Sequence, residues 1–403
     1  MERFDIAVVG NGLAGRIAAI ALSRLGYSIA LVGPAPENQD GRTTALMDQS
    51  IAFLEGLGVW DTLGNKSAAL QTMQIIDGTG RLFRAPTVPF RASEIGLDAF
   101  GYNFPNSAAL EVLGDLIRLD DNIHPIEGKI SGAEFREDAI LMRLEDGRDI
   151  EAGFVAAADG RKSILREAAG ITVRRWSYPQ TAVVLNFAHT IPHGNVSTEF
   201  HTPTGPFTQV PLPGMRSSLV WVQAPAEAEA FLALSNDEIG RRIEARMQSM
   251  LGKVTVEGKP QGWPLSGMTA QQFGKGRLAL IGEASHAFPP IGAQGLNLSL
   301  RDIIALCDLL GMKRDHEGPR AVGDAFDRKR RPDVLSRTAS VDLLNRSLLS
   351  NFLPVQMLRA AGLHLLGLLP PLRNLVMQEG VAPGRGFRGL SSNLREKITR
   401  KRA

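Results

Sequence analysis

The chain has 403 residues, 44% apolar and 22% charged, with a net charge of +3. That length exceeds one ordinary domain, the composition is globular, and the charge is too small to argue for nucleic acid. One cysteine, Cys307, excludes an internal disulfide or a cysteine-cluster metal site.

Lack of disulfides suits a reducing cytoplasm. The start, MERFDIAVVGNG, has no basic segment ahead of its short apolar run, so it does not read as a signal peptide. No apolar run reaches the roughly 18 residues a membrane span needs. The expected location is cytoplasmic.

Residues 4–33, FDIAVVGNGLAGRIAAIALSRLGYSIALVG, predict strand, turn, helix and strand. Gly10 makes the tight turn, Gly12 admits a pyrophosphate, and Gly15 lets the helix lie close to the strand. Ala14, Ala18, Ala19 and Ala21 keep that helix slim. Its free N–H groups and dipole favour an anion. A bare glycine pattern is weak, but here strand, glycines, small-residue helix and strand occur in order. The acidic residue that should end the second strand and bind a ribose is Gly33; Glu37 follows shortly after. The ribose is then held by Glu37, by backbone or by water.

Asp40-Gly41-Arg42 precedes a predicted helix carrying Leu46, Ile51, Phe53, Leu54 and Leu57. The guanidinium fork of Arg42 suits a phosphate or ribityl contact. Residues 73–84, 139–144 and about 181–222 are rich in sheet formers, with a turn at Pro213-Gly214. They predict a second domain with a mixed or antiparallel sheet. Between them, a buried strand ends at Asp159-Gly160 and a helix follows, carrying Ser163, Arg166 and Glu167. The nucleotide domain therefore resumes after an insertion.

A third buried strand, residues 278–281, ends at Gly282-Glu283. Then come Phe288-Pro289-Pro290-Ile291, Gly292 and Gly295, and a helix from Leu296 to Leu310. Such a backbone serves a ligand that approaches closely. Three strand ends converge on one edge of a parallel sheet. FAD is long enough to touch all three; NAD does not need the third. The scattered histidines show no metal spacing. Residues 348–377 repeat apolar residues at helical spacing, broken by Pro370-Pro371. They read as a core helix on the second domain, or as an apolar surface for a ligand or a membrane. The basic runs 327–333 and 395–403 read as a solvated helix face and a frayed tail, or as contacts with an anionic membrane.

These motifs resemble the class A flavoprotein aromatic hydroxylases typified by para-hydroxybenzoate hydroxylase, and within them the UbiH/UbiF-type hydroxylases of ubiquinone biosynthesis. The resemblance covers nearly the whole chain. It rests on GNGLAG, DGRTTAL, Gly58-Val59-Trp60, Asn106 in GYNFPNSAAL, Ala158-Asp159-Gly160 with Ser163 and Arg166, and GEASHAFPPIGAQGLN. It implies an α/β fold: a Rossmann-like FAD-binding domain (1–72, 98–172, 268–345), an inserted mixed-sheet substrate domain (73–97, 173–267), and a C-terminal helical region with a basic tail (346–403). It implies FAD contacts from Gly10, Gly12, Leu13, Ala14, Gly15, Arg42, Asn106, Asp159, Gly160, Glu283, Pro290, Gly292, Gln294, Gly295, Leu296 and Asn297. The backbone N–H groups of Leu296 and Asn297 would approach the flavin pyrimidine, where the helix N-terminus stabilises negative charge.

The implied reaction is hydroxylation of a polyprenylated phenol, with NAD(P)H as transient reductant and O2 activated as a flavin C4a-hydroperoxide. The implied partners are that phenol and, beyond it, the membrane surface or a ubiquinone-biosynthesis complex. Glu283 stands where the family has aspartate, Ser285 where it has alanine, and Ala157 where it has glycine. The flavin-halogenase W-x-W-x-I-P signature is absent. No side chain is singled out as catalytic acid or base, and His286 reads as structural. Two alternatives stay open: a hydroxylase of a free small aromatic, and a weakly flavinated assembly or lipid-presenting subunit.

Overall fold

The computed structural model describes residues 2–35, 41–77, 87–202, 204–289, 294–313 and 321–349, with Asn374 and Met377. The fold is α/β. Its first sheet runs Gly274–Lys275, Leu278–Leu280, Asp149–Ala157, Glu2–Val9, Ile29–Gly33, Ile123–Glu127, and all but the first of these are parallel. Parallel strands are covered on both faces, which is why Val8, Val9, Leu31, Val32, Ala156 and Leu280 are all buried. Val9 pairs with Ala157, and Ala157 with Leu280. The three strand ends expected to converge are therefore level with one another on adjacent strands.

The helix Leu13–Ser23 packs Ala18, Ala19 and Ala21 into the core beneath this sheet. Helix Asn106–Arg118 begins at Asn106, as its motif suggests. The helix Gln294–Lys313 follows the third turn and packs Leu298, Leu300, Ile303 and Leu306 into the same core.

The expected helix around Leu46 is corrected. Thr43–Met47 is a strand, and the helix starts only at Asp48. Two β-branched threonines favour extended backbone. The strand pairs antiparallel with Gly101–Pro105. A Cβ on Gly101 would lie 2.0 Å from the Leu46 carbonyl oxygen, so glycine permits that approach.

The second sheet runs His286–Ala287, Val254–Ala270, Val173–His189, Arg216–Gln223, Gly205–Leu212, Val196–Thr202, Thr72–Asp77, Val88–Arg91. It is mixed: Val196–Thr202 and Thr72–Asp77 are parallel, while its other pairs are antiparallel. The expected turn at Pro213-Gly214 joins two of its strands, and Gly214 has φ +75°. One face carries Val183, Leu185, Phe187 and Leu219 and is covered by helices Pro225–Leu232 and Asn236–Arg246. The opposite face looks towards the nucleotide-binding unit.

Of the basic run 327–333 only Arg330 is buried; Arg328 and Lys329 are exposed, and the run lies on a largely solvated helix face. Lys329 pairs with Asp308, Arg331 with Asp327, and Arg330 with Asp302 and Asp333. The apolar stretch 348–377 and the tail 395–403 lie outside the described residues, apart from Leu348, Leu349, Asn374 and Met377. Met377 is buried among Val88, Phe90 and Phe100, beside an edge strand of the second sheet. No helix among the described residues is long and apolar enough to cross a membrane.

Candidate cofactor and substrate site

The three glycines of the first turn differ sharply in their surroundings. Gly10 has φ +125°, and a Cβ there would lie 2.2 Å from the Ala158 carbonyl oxygen. A Cβ on Gly15 would lie 1.7 Å from the Gly10 carbonyl oxygen. Both positions are closed by protein. Gly12 faces open space within 4 Å. It also starts the helix Leu13–Ser23, whose first turn has no side-chain cap and no acidic residue. Unpaired N–H groups beside open space make a site for an anion. Leu13 and Ala14 lie half-buried behind this opening.

The second turn brings Asp159 and Gly160 beside the first. Asp159 Oδ2 accepts the Ile164 N–H at 3.0 Å. Asp159 Oδ1 is buried with no hydrogen-bond partner. Burial pushes this carboxyl above the usual carboxylate range, outweighing the hydrogen bonds from Ser163 and the helix start. An ionisable group kept unsatisfied at a strand end marks a ligand site. Gly160 has φ +80° and open space around it. Ser163 caps the short helix by accepting the Arg166 N–H. Arg166 is 1% exposed and donates to the carbonyls of Ala284 and Arg161, so it staples the second turn to the third.

The third turn is anchored from below by Asp302. Its Oδ2 accepts the Gly282 N–H at 3.0 Å and bonds His286 Nε2 at 2.7 Å. Its Oδ1 accepts Arg330 Nε at 2.7 Å. Burial works against this charge, but His286, Arg330 and Gly282 outweigh it and hold the carboxyl below its usual range. His286 is thus a structural tie, as expected, and its ring stacks on Phe288. Glu283 is exposed, and Arg161 donates to its Oε1 at 2.9 Å.

Asn297 uses its side chain to fasten the helix Gln294–Lys313. It accepts from Met47 N and Ser50 Oγ and donates to the Ala45 carbonyl. Leu296 and Gly295 lie in the first turn of that helix, with Gly295 exposed. The Gln294 side chain, Pro290 and Gly292 lie outside the described residues, as do Glu37 and Asp40. Asn106 is buried and accepts from Thr44 Oγ1 at 2.7 Å.

Arg42 lies on a loop sewn to the second sheet. Asn186 donates to the Gly41 carbonyl, Thr43 Oγ1 donates to Ser218, and the Arg42 guanidinium lies 5.3 Å from the Trp263 ring centre. Cross-strand pairing puts Val184 opposite Val220, Asn186 opposite Ser218, and Ser218 opposite Val210. These side chains share the face that looks at the cofactor turns. Val184, Val210 and Val220 are half-buried there. Tyr178 packs on the same face beside Val220, and its Oη accepts Trp176 Nε1 at 2.6 Å. Gly267 lets the Trp176 ring lie flat, since a Cβ would come within 2.1 Å of it.

Sequence reasoning missed Asn11, Arg161, Asp302, Tyr178 and Trp263. Only Asp302 carried a signal: an acidic residue among the apolar positions Leu298, Ile303 and Leu306. The others depend on contacts between distant segments.

The closed glycines, the open helix start, the unsatisfied Asp159 and the facing apolar floor fit FAD. They define a flavoprotein with a second, mixed sheet beside the nucleotide-binding unit. The FAD binding domain family matches residues 132–338. Ubiquinone hydroxylase UbiL of Rhodospirillum rubrum is 32% identical over 404 residues, covering 96% of this chain and 93% of that one. The 3-demethoxyubiquinol 3-hydroxylase of Escherichia coli is 28% identical over 374 residues, covering 89% and 93%. The structure of p-nitrophenol 4-monooxygenase from Pseudomonas putida shares the fold, with TM-score 0.78, 20% identity, and 94% and 98% coverage. The chain belongs to the ubiquinone-hydroxylase family of FAD-dependent aromatic monooxygenases. Its cofactor is FAD.

Proposed function

We propose that this enzyme hydroxylates the aromatic ring of a polyprenylated phenol in ubiquinone biosynthesis, using NAD(P)H and O2. The observation that carries the proposal is the level convergence of three turns opposite the floor of Val184, Val210, Val220 and Tyr178. The hydroxylase names of the two sequence relatives support it.

Gly12 and the helix start at Leu13 would hold the pyrophosphate. Ala14 and Gly15 back that turn, and Gly10 shapes it. Asp159, Gly160 and Asn106 would line the cofactor, and Glu283 would reach it with the oxygen that Arg161 does not use. Arg42 would approach once its hold on Trp263 loosens. Leu296 and Asn297 would present backbone N–H groups at the flavin end, with Pro290, Gly292, Gln294 and Gly295 shaping the turn. Bound FAD, reduced by NAD(P)H, would supply O2 activation and transfer of one oxygen atom to the ring.

The chain's own residues orient the ring and exclude water. The valines would offer apolar contact, and Asn186 and Ser218, which lie between them on the same face, would offer polar contacts. Tyr178, with Trp176 donating to its oxygen, would add an aromatic contact for the ring on that floor. We further propose that residues 1–72, 98–172 and 268–345 serve FAD and residues 73–97 and 173–267 serve the substrate, with Thr72, residues 268–270 and His286–Ala287 pairing across that division into the second sheet. The buried Met377 supports packing of the C-terminal segment on the substrate sheet.

The test is NADH or NADPH oxidation by the FAD-loaded protein with prenylated and unprenylated phenols, under labelled O2. One labelled oxygen in a prenylated product supports the reading. Turnover of only the unprenylated phenols, or of none, would sink it.

A further inference from the structure

Gly33 ends the second strand where a dinucleotide-binding unit ordinarily places a ribose-binding carboxylate. The reason for the glycine lies across the turn. A Cβ on Gly33 would lie 2.8 Å from both Cβ and backbone N of Asn11. No real Cβ sits that close, and a backbone atom cannot swing aside. The turn between Gly10 and Gly12 therefore rests directly on the end of the second strand. Gly10 N–H donates to the Val32 carbonyl at 2.7 Å and fixes that approach.

The Asn11 side chain is held at both ends. Its Oδ1 accepts Arg16 Nε at 2.9 Å, and its Nδ2 donates to the Pro34 carbonyl at 3.0 Å. Arg16 Nε also reaches the Asn11 carbonyl oxygen, and Arg16 Nη1 donates to the Leu110 carbonyl. A Cβ on Gly114 would lie 3.0 Å from Arg16 Nη1, so the guanidinium has little room to move. A neutral amide, clamped by a cation, lies against the strand end where the carboxylate would project.

We propose that Asn11, locked by Arg16, forms the ribose-side wall of the FAD site. It makes Gly33 obligatory and removes the charge-assisted grip on the adenosine ribose. This rests on the cofactor placement proposed above. The hold on FAD then comes from the pyrophosphate turn and the flavin end, and the site discriminates little at the ribose hydroxyls. Gly33 is a packing requirement of this turn, not a lapsed ligand.

The test titrates the apoprotein with FAD and with an FAD analogue lacking the adenosine 2′-hydroxyl, read by flavin fluorescence quenching. The two dissociation constants are expected within about three-fold, as for a neutral contact, whereas a carboxylate grip separates them by roughly ten-fold or more. Gly33→Glu is expected to loosen FAD, because the new side chain displaces the turn. A ten-fold or greater preference for the 2′-hydroxyl overturns the proposal. So does tighter FAD binding by Gly33→Glu. A preference that vanishes in Glu37→Gln overturns it by assigning the grip to Glu37. If Gly33→Glu does not fold, the analogue comparison on the native chain decides. If neither flavin binds, the cofactor placement itself fails and the wall with it.

Discussion

Asp159, at a strand end, and Asp302, on the helix Gln294–Lys313 beneath the neighbouring turn, are carboxyls withdrawn from solvent that behave oppositely. Asp159 has an oxygen without a partner, and burial raises its pKa. Its ionised form is disfavoured in the fold, so stability is lost as pH rises from the unfolded value, about 3.9, through the raised one. Asp159→Asn is expected to raise the melting temperature of the apoprotein near neutral pH while weakening FAD binding about ten-fold; melting curves and a flavin titration measure the two effects. Asp302 is lowered, and Asp333, beside Arg330, Arg301 and Arg337, is lowered to about 2. Their contribution is full above about pH 4 and is lost as pH falls through the lowered values. Asp302→Ala leaves Arg330 without its buried counter-charge and His286 without its hydrogen-bond partner, and is expected to cost about 3–5 kcal/mol in urea unfolding. Which glycines matter was legible from their spacing. The reason for Gly33 was not, because it lies in the approach of Asn11 across a strand.

At the scale of the element, the first turn separates two glycine roles that a motif merges. Gly15→Ala drives a Cβ into the Gly10 carbonyl and is expected to cost about 3 kcal/mol or more in stability. Gly12→Ala meets open space and is expected to keep the apoprotein melting temperature while lowering FAD affinity at least ten-fold. Equal loss of stability in both variants would refute the distinction. The strand Thr43–Met47 was misread from sequence because Leu46 recurs with Phe53, Leu54 and Leu57 at helical spacing. Its partner strand, Gly101–Pro105, lies too far along the chain for local periodicity to announce it. The parallel strands were legible because burial on both faces leaves an apolar run. The second sheet was legible only in outline, since its order depends on pairing that no local pattern encodes.

Across the whole molecule, the site is assembled from segments near residues 10, 159 and 282. On the proposed placement FAD would tie the three together, and at one hundred times its dissociation constant it is expected to add about 2.7 kcal/mol of stability. Thermal shift against FAD concentration measures this; no concentration dependence would contradict the assembled site. The sheet order has another consequence, in the time domain. Glu2–Val9 is made first, yet one of its two neighbours, Asp149–Ala157, is synthesised far later. At about 5–20 residues per second, that apolar strand keeps one edge unpaired for roughly ten seconds or more on the ribosome. Such an edge is a template for wrong pairing. The nascent chain is thus most exposed to aggregation before its middle third has emerged, and chaperone capture in that interval should govern the yield of active enzyme.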